Sequence, residues 1–367
     1  MGEITSTDEL TPSSYVHLHN HTHHSLLDGL TKISDLISIT KNYGMKAVAI
    51  TDHGTMSGAV EFYKAAKDDE IKPIIGIEAY VASRSRHDRD PAKDKARYHI
   101  ILLAMNETGY KNMMIMSSKA NLEGMYYKPR IDRELLEEYN DGIIALSACA
   151  SGEVGEQLRT GNYEEAKKIA SWYKSIFGDR YYLELQDHGH PDHPHKWDVQ
   201  VGINAGLEKL SEELSIETAV TSDGHYLTHD DQDAHEILLC VGTGAFLSDE
   251  KRMSLKDFEL HVTDPKDIIA RWGKTNPAAV ANTKKIADRC SVELQLDRIL
   301  IPKFPVPDGE SEKSFLDTLI YQGLAVRYNN VSVSDAPSMS NESIREAISD
   351  VVRQRVDMEL GVLDTMG

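Results

Sequence analysis

Short apolar runs rich in β-branched residues alternate with helical patterns through the first 290 residues, and this alternation limits the fold more than any other feature. The runs cover 15–19, 46–51, 73–81, 98–105, 142–147, 181–186 and 217–222. Between the first two, Ile33, Leu36, Ile37 and Tyr43 form an apolar stripe at helical spacing, and Gly44 supplies a stop. Further helical patterns lie near 57–67, 107–120, 151–177, 195–215 and 228–241. Strands that alternate with helices predict parallel βαβ units. Seven such runs without a break in the pattern favour a closed barrel over an open doubly wound sheet. No Gly-x-Gly-x-x-Gly and no Gly-x-x-x-x-Gly-Lys-Ser/Thr occurs, which weakens dinucleotide and P-loop readings.

The polar residues of these runs gather at their ends. The first ends in His17-Leu-His19-Asn-His21, with Asp28 following, and the second in Thr51-Asp52-His53-Gly54. The third carries Glu78, the fourth begins near His99, the fifth ends in Ser147-Ala-Cys149, and the seventh ends in Ser222-Asp223-Gly224-His225. In parallel barrels, strand ends converge on one mouth, where active sites sit. Imidazoles, carboxylates and a thiol there suit zinc or manganese, and a carboxylate can bridge two ions.

Taken singly, most of these residues have ordinary readings. His99 fits a core histidine, Cys149 a small buried hydrophobe, Asp52 a cap for a helix starting near Ser57, and Asp223-Gly224-His225 a turn. Glu78 resists such a reading, because an unpaired carboxylate in an apolar strand is costly to bury. Chance placement of ligand-type residues at six separate strand ends is a poor explanation.

The remaining composition narrows the setting. Forty basic against 59 acidic residues give a formal charge of −19, so the chain has no long-range attraction for nucleic acid of its own. No run approaches the length of a membrane span, and the start at Met1 lacks a basic end followed by an apolar stretch. The 3 cysteines, at 149, 240 and 290, point to a reducing, cytoplasmic setting without disulfides. Cys240 follows Ile-Leu-Leu on a helical pattern and reads as core. Arg84, Arg86 and Arg89 with Lys93, Lys95 and Arg97 form a basic loop that could contact phosphates. The stretch from His188 to His195 carries prolines and no period, which predicts an exposed loop, with His188 at a strand end near the mouth.

His17-Leu-His19-Asn-His21, Leu27-Asp28-Gly29, Ala49-Ile-Thr-Asp-His53-Gly54 and Pro73-Ile-Ile-Gly-Ile-Glu78 resemble the polymerase and histidinol phosphatase (PHP) domain, in the version found in bacterial DNA polymerase III alpha subunits. Cys149-Ala-Ser-Gly-Glu153, Leu183-Glu-Leu-Gln-Asp-His188 and Thr221-Ser-Asp223-Gly-His225-Tyr fit the same pattern, and the resemblance runs from residue 15 almost to the end. It implies a distorted seven-stranded (β/α) barrel over 15–290 that holds three divalent ions, zinc or manganese, with iron or magnesium as admixtures. One ion would take His19, His21, Glu78 and Asp223; a second would share Glu78 and take His99 and Cys149; the third would take Asp28, His53 and His225. His19, Glu78 and Asp223 would be the catalytic members. His17 would not be a ligand, and His23 and His24 would face solvent.

Residues 1–14 are expected to be disordered. The proline-rich run from Ile301 to Gly309 reads as a connector, with helices near 311–328 and 342–361 after it. By resemblance, 291–367 leads toward a polymerase palm or thumb that this chain cuts short, so the chain alone would not polymerise DNA. The resemblance implies metal-dependent 3′–5′ exonuclease proofreading in DNA replication. Its partners would be a DNA 3′ end, the remainder of the polymerase, and through it a proofreading subunit or sliding clamp. A metal-stabilised scaffold that docks those partners is the alternative, and a small-molecule phosphatase a more distant one.

Overall fold

The computed structural model describes residues 9–188, 194–299 and 301–366, and of 194–197 the backbone only. The chain divides into two units, Met1–Leu294 and Gln295–Gly367. The first contains strands β1 (Ala47–Ile50), β2 (Lys72–Ala82), β3 (Arg97–Ala104), β4 (Met125–Tyr126), β5 (Lys128–Ile131), β6 (Ile143–Leu146), β7 (Tyr181–Gln186) and β8 (Thr218–Thr221). Its helices are α1 (Ile33–Asn42), α2 (Ala59–Asp68), α3 (Glu107–Leu122), α4 (Arg133–Glu138), α5 (Glu153–Arg159), α6 (Tyr163–Phe177), α7 (Pro194–Leu214), α8 (Gln232–Thr243), α9 (Pro265–Trp272) and α10 (Pro277–Arg289).

The sheet is a distorted (β/α) barrel. β1 pairs with β2, β2 with β3, β3 with β6, β6 with β7 and β7 with β8. The extended segment 15–22 closes the ring. It joins β1 through Ala49 N–H to the His17 carbonyl (2.9 Å) and Thr51 N–H to the Asn20 carbonyl (2.9 Å). On its other side it meets the end of β8, with His21 N–H donating to the Gly224 carbonyl (2.7 Å) and Gly224 N–H to the His19 carbonyl (3.1 Å).

The barrel is not all parallel, because β3 runs antiparallel to both β2 and β6. The 15–19 run forms no regular ladder and is held by isolated bonds, since its residues serve the mouth more than the sheet. The β4–β5 hairpin, added to β2 at Tyr80 and Val81, was not foreseen at all.

Alternation along the strands sorts the residues into two layers. On β2, Ile74 packs into one buried cluster with Ile101, Leu103, Leu146, Tyr182 and Ala219, which lines the barrel interior. Ile75, Ile77, Ala79 and Val81 pack outward with Met113, Met116 and Leu135 from the covering helices. Ile286, Ala287 and Cys290 at the end of α10 join the inner cluster. Lys72, at the start of β2, donates to the Ala287 carbonyl at 2.7 Å, so α10 plugs the end of the barrel opposite Glu78.

Local signals explain the remaining boundaries. The helical pattern expected over 151–177 breaks into α5 and α6 at Gly161, whose φ of 79° only glycine adopts freely. Of the segment expected to be disordered, residues 9–14 are ordered: Leu10 is buried in the outer core and Pro12–Ser14 form a 3-10 turn. Residues 1–8 lie outside the described residues, as do 189–193 of the histidine-rich loop. The second unit holds α11 (Glu312–Tyr328), α12 (Asn341–Ala347) and α13 (Asp350–Met366) around Tyr321, Ala325, Ile344 and Ile348. The expected single helix near 342–361 is thus two. Among the described residues, no helix is long and apolar enough to cross a membrane.

His17 belongs to this framework. Its Nε2–H donates to the Thr263 carbonyl at 2.8 Å, and the ring is wholly buried. Burial pushes its pKa down to about 4. Below about pH 6.5 the unfolded chain therefore takes up a proton that the folded chain refuses, and stability falls as pH drops from 6.5 toward 4. The contribution at stake is about 3 kcal/mol. Urea unfolding in chelator across this range is expected to show His17→Gln losing less stability than wild type; parallel curves would contradict this.

Candidate metal centre

β2 carries Glu78 to the mouth, where it is almost fully buried. Its N–H donates to the carbonyls of Thr51 and Asp52 at 3.2 Å each, and its carbonyl accepts from Gly54 N–H at 2.8 Å. This clamp sets the 51–54 turn against β2 and places His53 Nδ1 2.5 Å from Glu78 Oε2. On the opposite edge, β2 pairs with β3 so that Tyr80 opposes His99. His99 Nδ1 lies 2.9 Å from Glu78 Oε1. Because β3 is antiparallel, its beginning reaches the mouth that the other strands reach with their ends, which explains a ligand-type residue at a strand start.

The other members arrive from four further segments. Cys149 Sγ sits 3.5 Å from His99 Nδ1. It follows Ala148, whose φ of 60° lies in the left-handed region, a conformation that costs a residue with a Cβ roughly 1 kcal/mol. Asp223 is left-handed too, at φ 50°. Its Oδ1 lies 3.1 Å from His19 Nε2 and 3.2 Å from His21 Nε2. Those two nitrogens are 3.1 Å apart and reach Glu78 at 3.5 and 3.6 Å. His225 packs its ring 4.3 Å from that of His21, with Nδ1 3.5 Å from Asp223 Oδ1. Asp28 Oδ2 completes the set 3.2 Å from His53 Nε2. All nine residues singled out from the sequence lie in one continuous cluster.

Behind them stands a layer that the sequence did not single out. Glu184 Oε1 lies 2.6 Å from His19 Nδ1. Asp52, expected as a helix cap, caps nothing: its carboxylate accepts from Thr22 N–H (2.7 Å) and Ser25 Oγ (2.8 Å), while Gly58 is the N-cap of α2. Ser25 Oγ in turn lies 3.2 Å from His21 Nδ1 and accepts from His53 N–H at 3.1 Å. Gln186 Nε2 donates to Asp223 Oδ2 at 3.3 Å, and its Oε1 accepts from His188 Nε2 at 2.8 Å. The signal for Glu184 was available, since a charged residue at the centre of the apolar run 181–186 obeys the cost argument made for Glu78.

The electrostatics follow from this crowding. Burial alone would lower His19, but Asp223, Glu184 and Glu78 outweigh it and push it up to about 10. His21 goes the other way, to about 3, through burial and the neighbouring His53 and His225. Burial opposes the charge on Glu78, yet His99 and His53 hold it well below the usual carboxylate range. Burial, with Glu78 and Asp223 nearby, keeps the Cys149 thiol well above its usual value.

The donor set fits divalent cations. His53 Nδ1, Glu78 Oε2 and Asp223 Oδ1 are buried and have no hydrogen-bond partner among the described residues. Lone pairs on nitrogen and oxygen face one another across 2.5 to 3.6 Å, which is costly unless a proton or a cation lies among them. Within this cluster three triads have ligand atoms close enough to share an ion: His19 with His21 and Asp223, His21 with His53 and His225, and His53 with Glu78 and His99; a fourth such group, His23 with His24 and Glu61, lies outside it.

Other candidates lie apart from this centre. His23 is exposed and His24 half-buried, with His24 Nδ1 3.1 Å from Ser57 Oγ. The basic loop does not offer its first two arginines to phosphate. Arg84 makes two bonds to Asp94 at 2.7 and 2.8 Å, and Arg86 is buried among Asp132, Glu123 and Glu134. His188 is buried at the end of β7, and the loop after it lies outside the described residues.

Residues 17–188 match the PHP domain. Over most of its length the chain is similar to DNA polymerase III subunit alpha: 38% identical to that of Treponema pallidum over 356 residues, which is 96% of this chain and 28% of that protein. The Borreliella burgdorferi subunit is 40% identical over 323 residues, 87% of this chain and 28% of the relative. This chain belongs to the PHP-domain family, in the branch of DNA polymerase III alpha subunits. It spans 28% of the length of these two relatives. Among solved structures, an amidohydrolase from Chromobacterium violaceum is similar at 14% identity and a TM-score of 0.35, over 57% of this chain and 87% of that one.

Because His19 and Cys149 hold protons at neutral pH without an ion, metal uptake must displace them. Zinc affinity is therefore expected to rise with pH between 6 and 9, with proton release measurable by calorimetry in buffers of different ionisation enthalpy. Chelation is expected to lower the melting temperature, since each ion held at 100-fold excess over its Kd contributes about 2.7 kcal/mol. PH-independent affinity, or a melting curve blind to chelator, would count against a metal centre.

Proposed function

We propose that this chain is a divalent-metal-dependent phosphodiesterase that removes nucleotides from DNA 3′ ends, a proofreading 3′–5′ exonuclease within a replicative polymerase. The observation that carries it is the convergence on Glu78, whose two carboxylate oxygens face His19, His21, His53 and His99 within 3.6 Å. The proposed ligand groups are His19, His21, Glu78 and Asp223; Glu78, His99 and Cys149; and Asp28, His53 and His225. When bound there, zinc or manganese supplies Lewis acidity and neutralises charge that builds on a phosphate.

The chain's own residues divide the remaining work. Glu78, common to two groups, keeps them adjacent. His19 and Asp223 hold the innermost group and face each other at 3.1 Å, with His21 beside both. Asp28, His53 and His99 stand on the more open side, with side chains 28, 12 and 19% exposed, and would face the DNA end. The surrounding charge of −19 makes DNA affinity weak and dependent on bound cations and on the rest of the polymerase. That remainder, and through it a proofreading subunit or sliding clamp, would be the partners.

A second reading has one observation in its favour. His19, His21 and Glu78 are sealed from solvent, as in a site that stabilises the fold. In that case the ions add folding free energy and the barrel serves as a docking platform.

The deciding assay uses the purified chain with manganese or zinc at low salt, on a 3′-tailed oligonucleotide and on a phosphomonoester. Shortening of the oligonucleotide from its 3′ end is expected, with little phosphomonoester turnover. Asp223→Ala and His19→Ala are each expected to lose roughly 100-fold or more, since even outer partners of ligands cost 10- to 100-fold. Full activity in folded Asp223→Ala would refute the assignment, and ion-dependent melting without hydrolysis would favour the scaffold.

A further inference from the structure

Glu184 lies on β7 with its side chain fully buried, among residues that line the barrel interior. Burying a carboxylate there is costly unless donors surround it. Three donors meet one oxygen: His19 Nδ1 at 2.6 Å, Thr221 Oγ1 at 2.5 Å and Gln186 Nε2 at 3.3 Å all reach Oε1. Its main chain is fixed as well, since Glu184 N–H donates to Ser147 Oγ at 2.9 Å. Oε2 has no hydrogen-bond partner among the described residues. A carboxylate placed only for stability would distribute its bonds over both oxygens; here they concentrate on the oxygen that faces His19.

The consequence for His19 is geometric. Nδ1 carries the hydrogen that Glu184 accepts at 2.6 Å, so the proton that a cation would displace is the one on Nε2. That nitrogen is the one facing Asp223 Oδ1, His21 Nε2 and Glu78 Oε1 at 3.1 to 3.5 Å. We propose that Glu184 is the positioning residue of the metal centre: it fixes the tautomer and ring orientation of His19 so that Nε2 is presented to a divalent cation. The carboxylate also raises the basicity of the imidazole it binds. Thr221 and Gln186 hold Glu184 Oε1 in place, and Gln186 links it to Asp223 through a second 3.3 Å contact of the same amide nitrogen. Glu184 itself would touch neither ion nor substrate.

This inference rests on the metal-centre reading and not on the reaction. Its test measures zinc affinity by competition with a chromophoric chelator, together with the melting temperature with and without zinc. Glu184→Ala is expected to weaken one ion of the set by about 100-fold. Glu184→Gln keeps an oxygen able to accept from Nδ1–H but lacks the charge, and is expected to lose only about 10-fold. In both variants the zinc-dependent gain in melting temperature shrinks. A purely structural Glu184 would lower the melting temperature in chelator and leave the affinity of the folded protein unchanged. Affinity within twofold of wild type in Glu184→Ala would overturn the proposal; if that variant does not fold, the same result in Glu184→Gln would. Wild-type protein that takes up no zinc would remove the metal centre itself, whereas tight zinc binding without hydrolysis would leave Glu184 in its role and remove the exonuclease.

Discussion

The buried carboxylate of Glu78 is the group around which the rest of the first unit is arranged. A charge with almost no exposure must be surrounded by partners, or it will neutralise or unfold the chain. The chain meets that demand from three directions. The 51–54 turn is clamped to the Glu78 backbone, β3 runs backward to deliver His99, and the 15–22 segment that closes the ring delivers His19 and His21. The distortions of the barrel are therefore located where the ligands are. The β2–β3 ladder itself stays regular past Glu78 as far as Ala82, while at the plugged end Ile74, Ile101, Leu103 and α10 need only pack.

This division explains what could be read in the sequence. The seven runs were visible because short continuous apolar stretches rich in β-branched residues report burial on both faces, and burial is what a barrel strand requires. Strand direction left one mark, His99 at the start of its run, and only the pairing of β3 with β2, with Tyr80 opposite His99, gives that mark its meaning. The 15–19 run looked like a strand because Tyr15, Val16 and Leu18 are buried, yet its backbone makes isolated bonds to two neighbours in place of a ladder. Helix breaks were missed where the break depended on one backbone conformation, as at Gly161.

The candidate site was more legible than the sheet. Ligand-type residues at strand ends stand out against apolar runs, and the nine fall into one cluster. Their supports were illegible for a physical reason: Asp52 and Gln186 act through hydrogen bonds to residues distant in sequence, and each also fits an ordinary turn or strand. Arg84 and Arg86 misled in the opposite sense. Their charge suggested phosphate, but Asp94 and Asp132 had to be present in space before it was clear that they were already paired. Buried Arg130 ties the same loop down by donating to the carbonyls of Arg86, Asp88 and Asp94, so the loop's cations serve its own folding.

Burial also grades the centre from inside to outside, and the gradient separates two tasks. His19 and His21 are fully buried, whereas Asp28, His53 and His99 keep 12 to 28% of their side chains exposed. In the sealed interior the effective dielectric is low, so misplacement of a single donor there carries a large electrostatic cost. That is where the supports are densest, with Glu184 behind His19 and Ser25 behind His21. The outer residues have fewer such supports and more water. A phosphate bound as proposed would meet this open side and not the buried one. In the proposed function, cation affinity would then be set mainly by the interior, and contact with a phosphate by the rim formed by Asp28, His53 and His99.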